Sequence, residues 1–146
     1  MRVTYGQVES YEPRDGVRYK TQTYLDGIME KYKPGDYEFD VHPRLIKLYE
    51  VKDYGQYAED GKLPVCFIAS NHTTGGNSGS PAIDSYGNLI GINFDRVWEG
   101  TMSDLYYDRS ICRNIMVDMR YILFVIDKFA GATHLIEEMK LVHPKA

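Results

Sequence analysis

Short hydrophobic runs separated by glycine, asparagine and aspartate mark the middle of the chain as a region of β-strands. Residues 65–69 form one run, and residues 81–83 and 89–94 form two more on either side of a turn at residues 84–88. Runs of this length between turn-forming residues are typical of strands. Because side chains alternate along a strand, one face of the last run carries Leu89, Gly91 and Asn93, and the other carries Ile90, Ile92 and Phe94. The β section is predicted to continue to about residue 119.

Hydrophobic residues on both sides of this section recur at the spacing of an α-helix. That spacing predicts helices over residues 20–32, Pro43–Val51, 121–129 and 133–141. The remaining segments are residues 2–11, which predict an edge strand, and residues 52–64, which predict a polar loop. The expected fold class is therefore mainly β with helices, an α+β arrangement.

Composition limits the classes of protein and partner. A chain of 146 residues with 43% hydrophobic and 26% charged residues is expected to fold as one domain of ordinary size. Its net charge of −4 argues against a nucleic-acid partner. No stretch is long and apolar enough to predict a membrane span, and no signal peptide follows Met1, which alone would predict a cytoplasmic protein.

The cysteines give little information about function. Cys66 and Cys112 lack the spacing of a zinc site, and each lies in an apolar run. Two buried free thiols are the first expectation, and a disulfide between them is the alternative. We expect no metal and no cofactor.

The segment Gly75–Pro81 carries the clearest chemical signal. Ser78 lies between Gly76-Asn77 and Gly79, and Ser80-Pro81 close the segment. Gly76 would allow a backbone conformation that other residues resist, so that the N–H groups of Gly76 and Ser78 could form an oxyanion hole beside a nucleophilic Ser78. The alternative is an ordinary hairpin turn, since glycine, asparagine and serine dominate turns.

A second type of serine motif fits less well. The nucleophile elbow of α/β-hydrolases needs Gly-x-Ser-x-Gly between a strand and a helix, but Ser80 stands at the last position and a hairpin is predicted to follow. The order Ser78, Asp127, His134 would suit a hydrolase triad. However, the chain shows no alternation of strands and helices, so we do not favour this fold.

Several runs of residues together resemble a known family. The runs are Gly35–Asp40, Thr73–Pro81, Leu89–Gly91, Asn93–Asp104, Ile115–Tyr121 and His134–Lys140. They resemble one branch of the trypsin-like peptidases, the bacterial serine dipeptidyl-peptidases with a chymotrypsin-type catalytic domain. Within that family the chain looks most like the branch that cuts after Asp or Glu. The resemblance implies the second β-barrel of a double barrel over residues 65–146, together with a strand and part of a helical lead-in over residues 1–64.

The resemblance also implies roles for individual residues. Ser78 would be the nucleophile, and Gly76 and Ser78 would supply the oxyanion-hole N–H groups. Asp95 would bind the free α-amine of a peptide substrate, and Arg96 would pair with its acidic side chain. Asn93 and Phe94 precede them on the strand that forms a wall of the specificity pocket.

Some of these assignments have plain alternatives. Asp95 and Arg96 could form a solvated pair at the end of a strand, and Trp98 is as consistent with a core aromatic as with a pocket wall. Asn77 stands where trypsin-like enzymes commonly have aspartate. Asparagine cannot form a salt bridge with a new N-terminus, which argues against activation by cleavage.

A catalytic base and its orienting acid are missing from the sequence. A serine nucleophile needs both. His42 precedes a predicted helix, His72 is only six residues from Ser78, and His134 and His143 lie in the C-terminal region. The chain is therefore expected to be a C-terminal piece of a longer enzyme and to be inactive alone.

The expected partners are a peptide with a free N-terminus, the missing first barrel and a second copy in a homodimer, with no membrane partner. An exposed apolar face toward the missing barrel would favour self-association. The resemblance implies a periplasmic or cell-envelope location. A non-catalytic barrel that binds peptides or proteins is the alternative function. Half of an endopeptidase is a third option, which Asp95 disfavours because an amine anchor serves an exopeptidase.

Overall fold

The computed structural model describes residues 2–143, which form two compact units. One unit combines the chain up to Thr23 with Cys66–Met119, and the other combines Tyr24–Val65 with the chain from Arg120 onward. The chain crosses between these two units three times. The division at residue 64 into a lead-in and a barrel stays a prediction. The candidate site lies entirely in the first unit.

The N-terminal segment forms a hairpin instead of the edge strand predicted for residues 2–11. Strands β1 (Tyr11–Arg14) and β2 (Val17–Tyr19) pair antiparallel through the turn at Asp15-Gly16, where Gly16 has a φ of 73°. Within residues 2–10 the only strand-like pairing is an isolated bridge from Val8 to Ala69. The prediction of an edge strand over residues 2–11 was thus wrong, since residues 2–10 have no continuous strand partner.

A five-stranded sheet holds the candidate site. Its strands are β3 (Gln22–Tyr24), β4 (Pro64–Ala69), β5 (Pro81–Ile83), β6 (Leu89–Arg96) and β7 (Asn114–Asp118), in the order β3-β4-β7-β6-β5. The β4–β7, β7–β6 and β6–β5 pairs are antiparallel. The prediction of a mainly β chain with helices is confirmed. The sheet is open, and its closure into a second barrel stays a prediction.

One face of this sheet forms the core of the first unit. Phe67 on β4 pairs with Met116 on β7, which pairs with Asn93 on β6, so the three side chains share a face. All three are buried. Gly91 lies on the same face, and a Cβ there would come within 2.7 Å of the Phe67 ring. The predicted alternation of β6 is therefore confirmed up to Asn93.

The turn between β5 and β6 is held by one carboxylate. Asp84 accepts hydrogen bonds from the backbone N–H groups of Tyr86 and Asn88 and from the Asn88 side chain. These bonds, above all that from the Asn88 side chain, lower the pKa of Asp84. The predicted turn at residues 84–88 is thus stabilised by its own side chains.

The second unit begins with two helices. Helix α1 spans Leu25–Lys31, shorter than the predicted 20–32 because residues 22–24 form β3 instead. Helix α2 spans Pro43–Glu50, close to the prediction, and the His42 ring accepts the Arg44 N–H at 3.1 Å as its N-cap.

The predicted polar loop over residues 52–64 is only partly correct. It contains a 3₁₀ turn at Gly55–Tyr57, and Tyr54, Tyr57 and Leu63 are buried. The Tyr57 hydroxyl donates to Asp127 at 3.0 Å. These apolar residues are spaced irregularly among polar ones, at neither helical nor strand spacing. The sequence therefore did not indicate that they are buried.

The C-terminal segment is helical, as predicted. Helix α3 (Met119–Phe124) continues as a π-helical turn over Val125–Phe129, and helix α4 covers Thr133–Glu137. Helix α4 is shorter than the predicted 133–141.

Cys66 and Cys112 are both free thiols, Cys112 fully buried and Cys66 half-buried. Burial raises the pKa of the Cys66 thiol. Of the helices within residues 2–143, none has the length and apolar character needed to cross a bilayer.

Candidate active site

The loop around Ser78 is built on a tight turn that Asn77 closes. The Asn77 side chain accepts the Thr74 N–H at 2.8 Å, and the Asn77 N–H donates to the Thr74 carbonyl at 3.2 Å. Gly76 and Gly79 have φ values of 92° and 85°, in the left-handed region that favours glycine. Apart from the adjacent residues, no atom of residues 2–143 lies within 4 Å of a Cβ placed on either glycine, so backbone conformation and not space requires glycine there.

Backbone hydrogen bonds fix this loop against strand β6. The Gly79 N–H donates to the Asn93 carbonyl at 2.8 Å, and the Asn93 N–H donates to the Ser80 carbonyl at 2.9 Å. This pair extends the β5–β6 ladder toward the loop. It places Ser78 beside the residues that follow Asn93.

Hydrogen bonds from two buried asparagine side chains support the Ser78 loop. Asn114 on β7 donates through Nδ2 to Asn93 Oδ1 at 2.9 Å, and Asn93 Nδ2 donates to the Asn77 carbonyl at 3.2 Å. Asn114 and Asn93 are 1% and 6% exposed. The Ser80 N–H donates to the same Asn77 carbonyl at 3.0 Å. We call these three asparagines the amide chain.

The amide chain also sets the direction of the Ser78 N–H. The peptide between Asn77 and Ser78 is planar and trans, so its N–H points opposite to its carbonyl. Two donors hold that carbonyl inward, which turns the N–H outward. Within the described residues, neither the Gly76 nor the Ser78 N–H donates a hydrogen bond. Both are available to stabilise a negatively charged oxygen.

The Ser78 hydroxyl itself is exposed and donates to the Phe94 carbonyl at 3.3 Å. Within residues 2–143, no histidine or carboxylate forms a hydrogen bond with it. His72 contacts the Ser103 carbonyl through Nε2 at 3.0 Å, and its ring centroid lies 5.0 Å from that of Tyr107. Burial raises the pKa of Tyr107.

A bulge in β6 places Asp95 and Arg96. Asn93 pairs with Met116 and Asp95 with Ile115, so Phe94 is the extra residue. Phe94 is 43% exposed. The Asp95 carboxylate is exposed and accepts the Arg96 N–H at 2.8 Å through Oδ1.

The guanidinium of Arg96 is held by the 3₁₀ segment Trp98–Asp104. Nη1 and Nη2 of Arg96 donate to Oδ1 and Oδ2 of Asp104 at 3.0 and 3.2 Å. Nη1 also donates to the Ser103 hydroxyl at 2.7 Å. The partner of the guanidinium is therefore Asp104 and not the neighbouring Asp95. The Arg96 side chain is 18% exposed.

The structure brings together Gly76, Ser78, Asn93, Phe94, Asp95 and Arg96. Trp98 is 84% exposed, so the core alternative for this residue was wrong. Sequence reasoning missed the amide chain and Asp104. Asp104 ends the run Asn93–Asp104 that resembles the family, but nothing in the sequence links it to an arginine eight residues earlier.

Free N–H groups beside an exposed serine hydroxyl are an arrangement used by hydrolases that transfer acyl groups. The chain also matches a family model, "Peptidase S46", over residues 1–141. It therefore belongs to the peptidase S46 family.

Relatives with names in this family are closely similar. The "Asp/Glu-specific dipeptidyl-peptidase" of Flavobacterium psychrophilum is 74% identical over 99% of the chain, and "Dipeptidyl-peptidase 7" of Phocaeicola vulgatus is 52% identical over 97%. A crystal structure of Porphyromonas endodontalis DPP11 in complex with the dipeptide Arg-Asp superposes with a TM-score of 0.91 at 51% identity over 94% of the chain. The chain spans 20% of the length of each of these relatives. These relatives are hydrolases that their names describe as dipeptidyl-peptidases.

Proposed function

We propose that this chain forms part of a serine dipeptidyl-peptidase that releases dipeptides from peptide N-termini, with Asp or Glu at the cleavage position. One observation carries the proposal: Ser78 donates to the carbonyl of Phe94, and Asp95 and Arg96 follow directly. The Ser78 hydroxyl thus lies beside the strand end whose next two residues carry a carboxylate and a guanidinium. The Asp/Glu-specific names of relatives support this assignment.

The chemistry begins with attack by the Ser78 hydroxyl on the peptide carbonyl, which forms an acyl-enzyme that water then hydrolyses. The N–H groups of Gly76 and Ser78 stabilise the oxyanion. The base that takes the Ser78 proton, and the acid that orients that base, come from outside this chain in the complete enzyme. The isolated chain is therefore inactive.

Two charged groups define the substrate. Arg96 pairs with the carboxylate of the residue at the cleavage position, a charge-assisted contact that arginine can make with two bonds. Asp95 binds the free α-amine two residues upstream, which is why dipeptides are released.

We further propose a periplasmic or cell-envelope location, contact with a first barrel, and a homodimer.

The experiment that tests this function follows the products formed by the complete enzyme. A peptide beginning Leu-Asp should lose its first two residues as one dipeptide, detected by mass spectrometry. The same peptide with an acetylated N-terminus should stay intact, because Asp95 then has no amine to bind. Release of single residues, or cleavage of the acetylated peptide, would contradict the proposal.

The amide chain leads to a prediction about rate. Replacing Asn93 with alanine removes one of two donors that hold the Asn77 carbonyl, which loosens the Ser78 N–H. We expect kcat of the complete enzyme to fall about tenfold, less than the loss of a whole oxyanion donor, while KM changes little. Steady-state kinetics on a Leu-Asp reporter measures both constants. A change confined to KM would contradict this role.

A further inference from the structure

The contacts of Arg96 leave one edge of its guanidinium free. An arginine side chain has five N–H donors: one on Nε and two on each Nη. Asp104 accepts one from Nη1 and one from Nη2, and the Ser103 hydroxyl accepts from Nη1. Within the described residues, the Nε–H and the second Nη2–H have no acceptor. These two donors lie in the guanidinium plane along one edge of the group and match the two oxygens of a carboxylate.

We propose that Asp104 is a positioning residue for substrate specificity: it holds Arg96 so that the Nε–Nη2 edge remains open for the carboxylate of the substrate. The inference rests on the proposed function, in which Arg96 binds that carboxylate. It adds a second determinant of acidic preference, which itself does not contact substrate.

The contacts around Asp104 are suited to fixing an orientation. Both oxygens of Asp104 are used on one edge of the guanidinium, so rotation about the terminal bonds would break two charge-assisted hydrogen bonds. Ser103 is 6% exposed, so the third contact is shielded from water. The His72 ring holds the Ser103 carbonyl at 3.0 Å. An ordered guanidinium loses less side-chain freedom when substrate binds.

A competing role for Asp104 predicts the opposite effect. If Asp104 occupied the edge that substrate needs, it would act as an internal competitor, and its removal would improve binding of acidic substrates. The free Nε–Nη2 edge argues against competition, since substrate and Asp104 can bind opposite edges together. The negative charge of Asp104 lies close to the pocket. However, the positive charge of Arg96 then lies between the carboxylates of Asp104 and the substrate, so each carboxylate is next to an opposite charge.

The test uses the complete enzyme with the substitution Asp104→Asn. Asparagine has the same shape but one acceptor oxygen, and its NH₂ group would face a guanidinium donor. We expect kcat/KM for a Leu-Asp reporter to fall about tenfold, chiefly through KM. The ratio of Leu-Asp to Leu-Leu hydrolysis should fall by the same factor. Asp104→Glu should restore part of the ratio, because it restores both acceptor oxygens.

The matched control is Asp108→Asn. It removes the same charge four residues away, where Asp108 accepts from the N–H and hydroxyl of Ser110 and does not contact Arg96. Its ratio should equal that of the parent enzyme. A higher ratio in Asp104→Asn would establish competition, and equal losses on both reporters would show a merely structural role. Either result overturns the inference.

A second variant separates this inference from the proposed function. If Arg96→Gly abolishes acidic preference while Asp104→Asn leaves it intact, only the positioning role fails. If Arg96→Gly leaves acidic preference intact, the proposed function fails. In the Arg96→Gly background, Asp104→Asn should no longer lower the ratio, since the group that it orients is gone.

Discussion

The complete enzyme with Ser78→Ala is expected to lose its peptidase activity almost entirely. Removing the nucleophile of a serine peptidase typically lowers kcat by roughly 10⁴ to 10⁶. The oxyanion N–H groups and the substrate contacts of Asp95 and Arg96 would remain, so KM should change little. Hydrolysis of a Leu-Asp reporter, followed at saturating substrate, measures the loss.

The control for this prediction is Ser85→Ala. Ser85 is an exposed serine in the turn between β5 and β6, seven residues after Ser78 in sequence. Its activity should stay within about twofold of the parent enzyme, as is usual for surface substitutions. Activity in Ser78→Ala comparable to that of the control would exclude Ser78 as the nucleophile.

The substitution Arg96→Gly is expected to change which residue the enzyme cuts after. Truncating one partner of a buried charge contact typically costs ~2–5 kcal/mol, which is roughly thirtyfold to several thousandfold in kcat/KM. Cleavage after Asp and Glu should fall by that factor, and cleavage after apolar residues should become relatively favoured. The carboxylate of Asp104 would also lose its partner and repel an acidic side chain. An unchanged preference for Glu over Leu would show that Arg96 does not bind the acidic side chain of the substrate.

The substitution Asp95→Ala provides the contrast. Every substrate presents the same α-amine, so we expect hydrolysis of Leu-Asp, Leu-Glu and Leu-Leu reporters to fall by the same factor. A loss confined to acidic substrates would show that Asp95 acts through Arg96, to which it is joined by a backbone hydrogen bond.

Strands between glycine-rich turns could be predicted well because their signals are local. Residues 65–69 and 89–94 correspond to β4 and β6. Short apolar runs bounded by turn residues seldom adopt a structure other than a strand. The helical spacing of the sequence predicts a helix from residue 20, but β4 pairs with residues 22–24 as strand β3. Pairing with a distant strand can override local helical spacing, and a single sequence does not show it.

The candidate site shows the same distinction. The conformation of the Ser78 loop depends on its own glycines and on Asn77, so its sequence predicted a nucleophile-type loop. The amide chain depends on Asn93 and Asn114, which lie 21 residues apart in sequence and meet only because β6 pairs with β7. The bidentate contact from Asp104 likewise depends on a 3₁₀ segment within the predicted β section. Such contacts between distant polar residues leave no periodic signal.

Covalent labelling of Ser78 tests the central claim most directly. The complete enzyme would be treated with a fluorophosphonate, which reacts with activated serine nucleophiles, and then digested and analysed by mass spectrometry. The account predicts one adduct, on Ser78 in the segment Gly75–Pro81, that is slowed by a dipeptide ending in Asp and absent in Ser78→Ala. Labelling of a different serine, or full peptidase activity with Ser78 unlabelled, would contradict it.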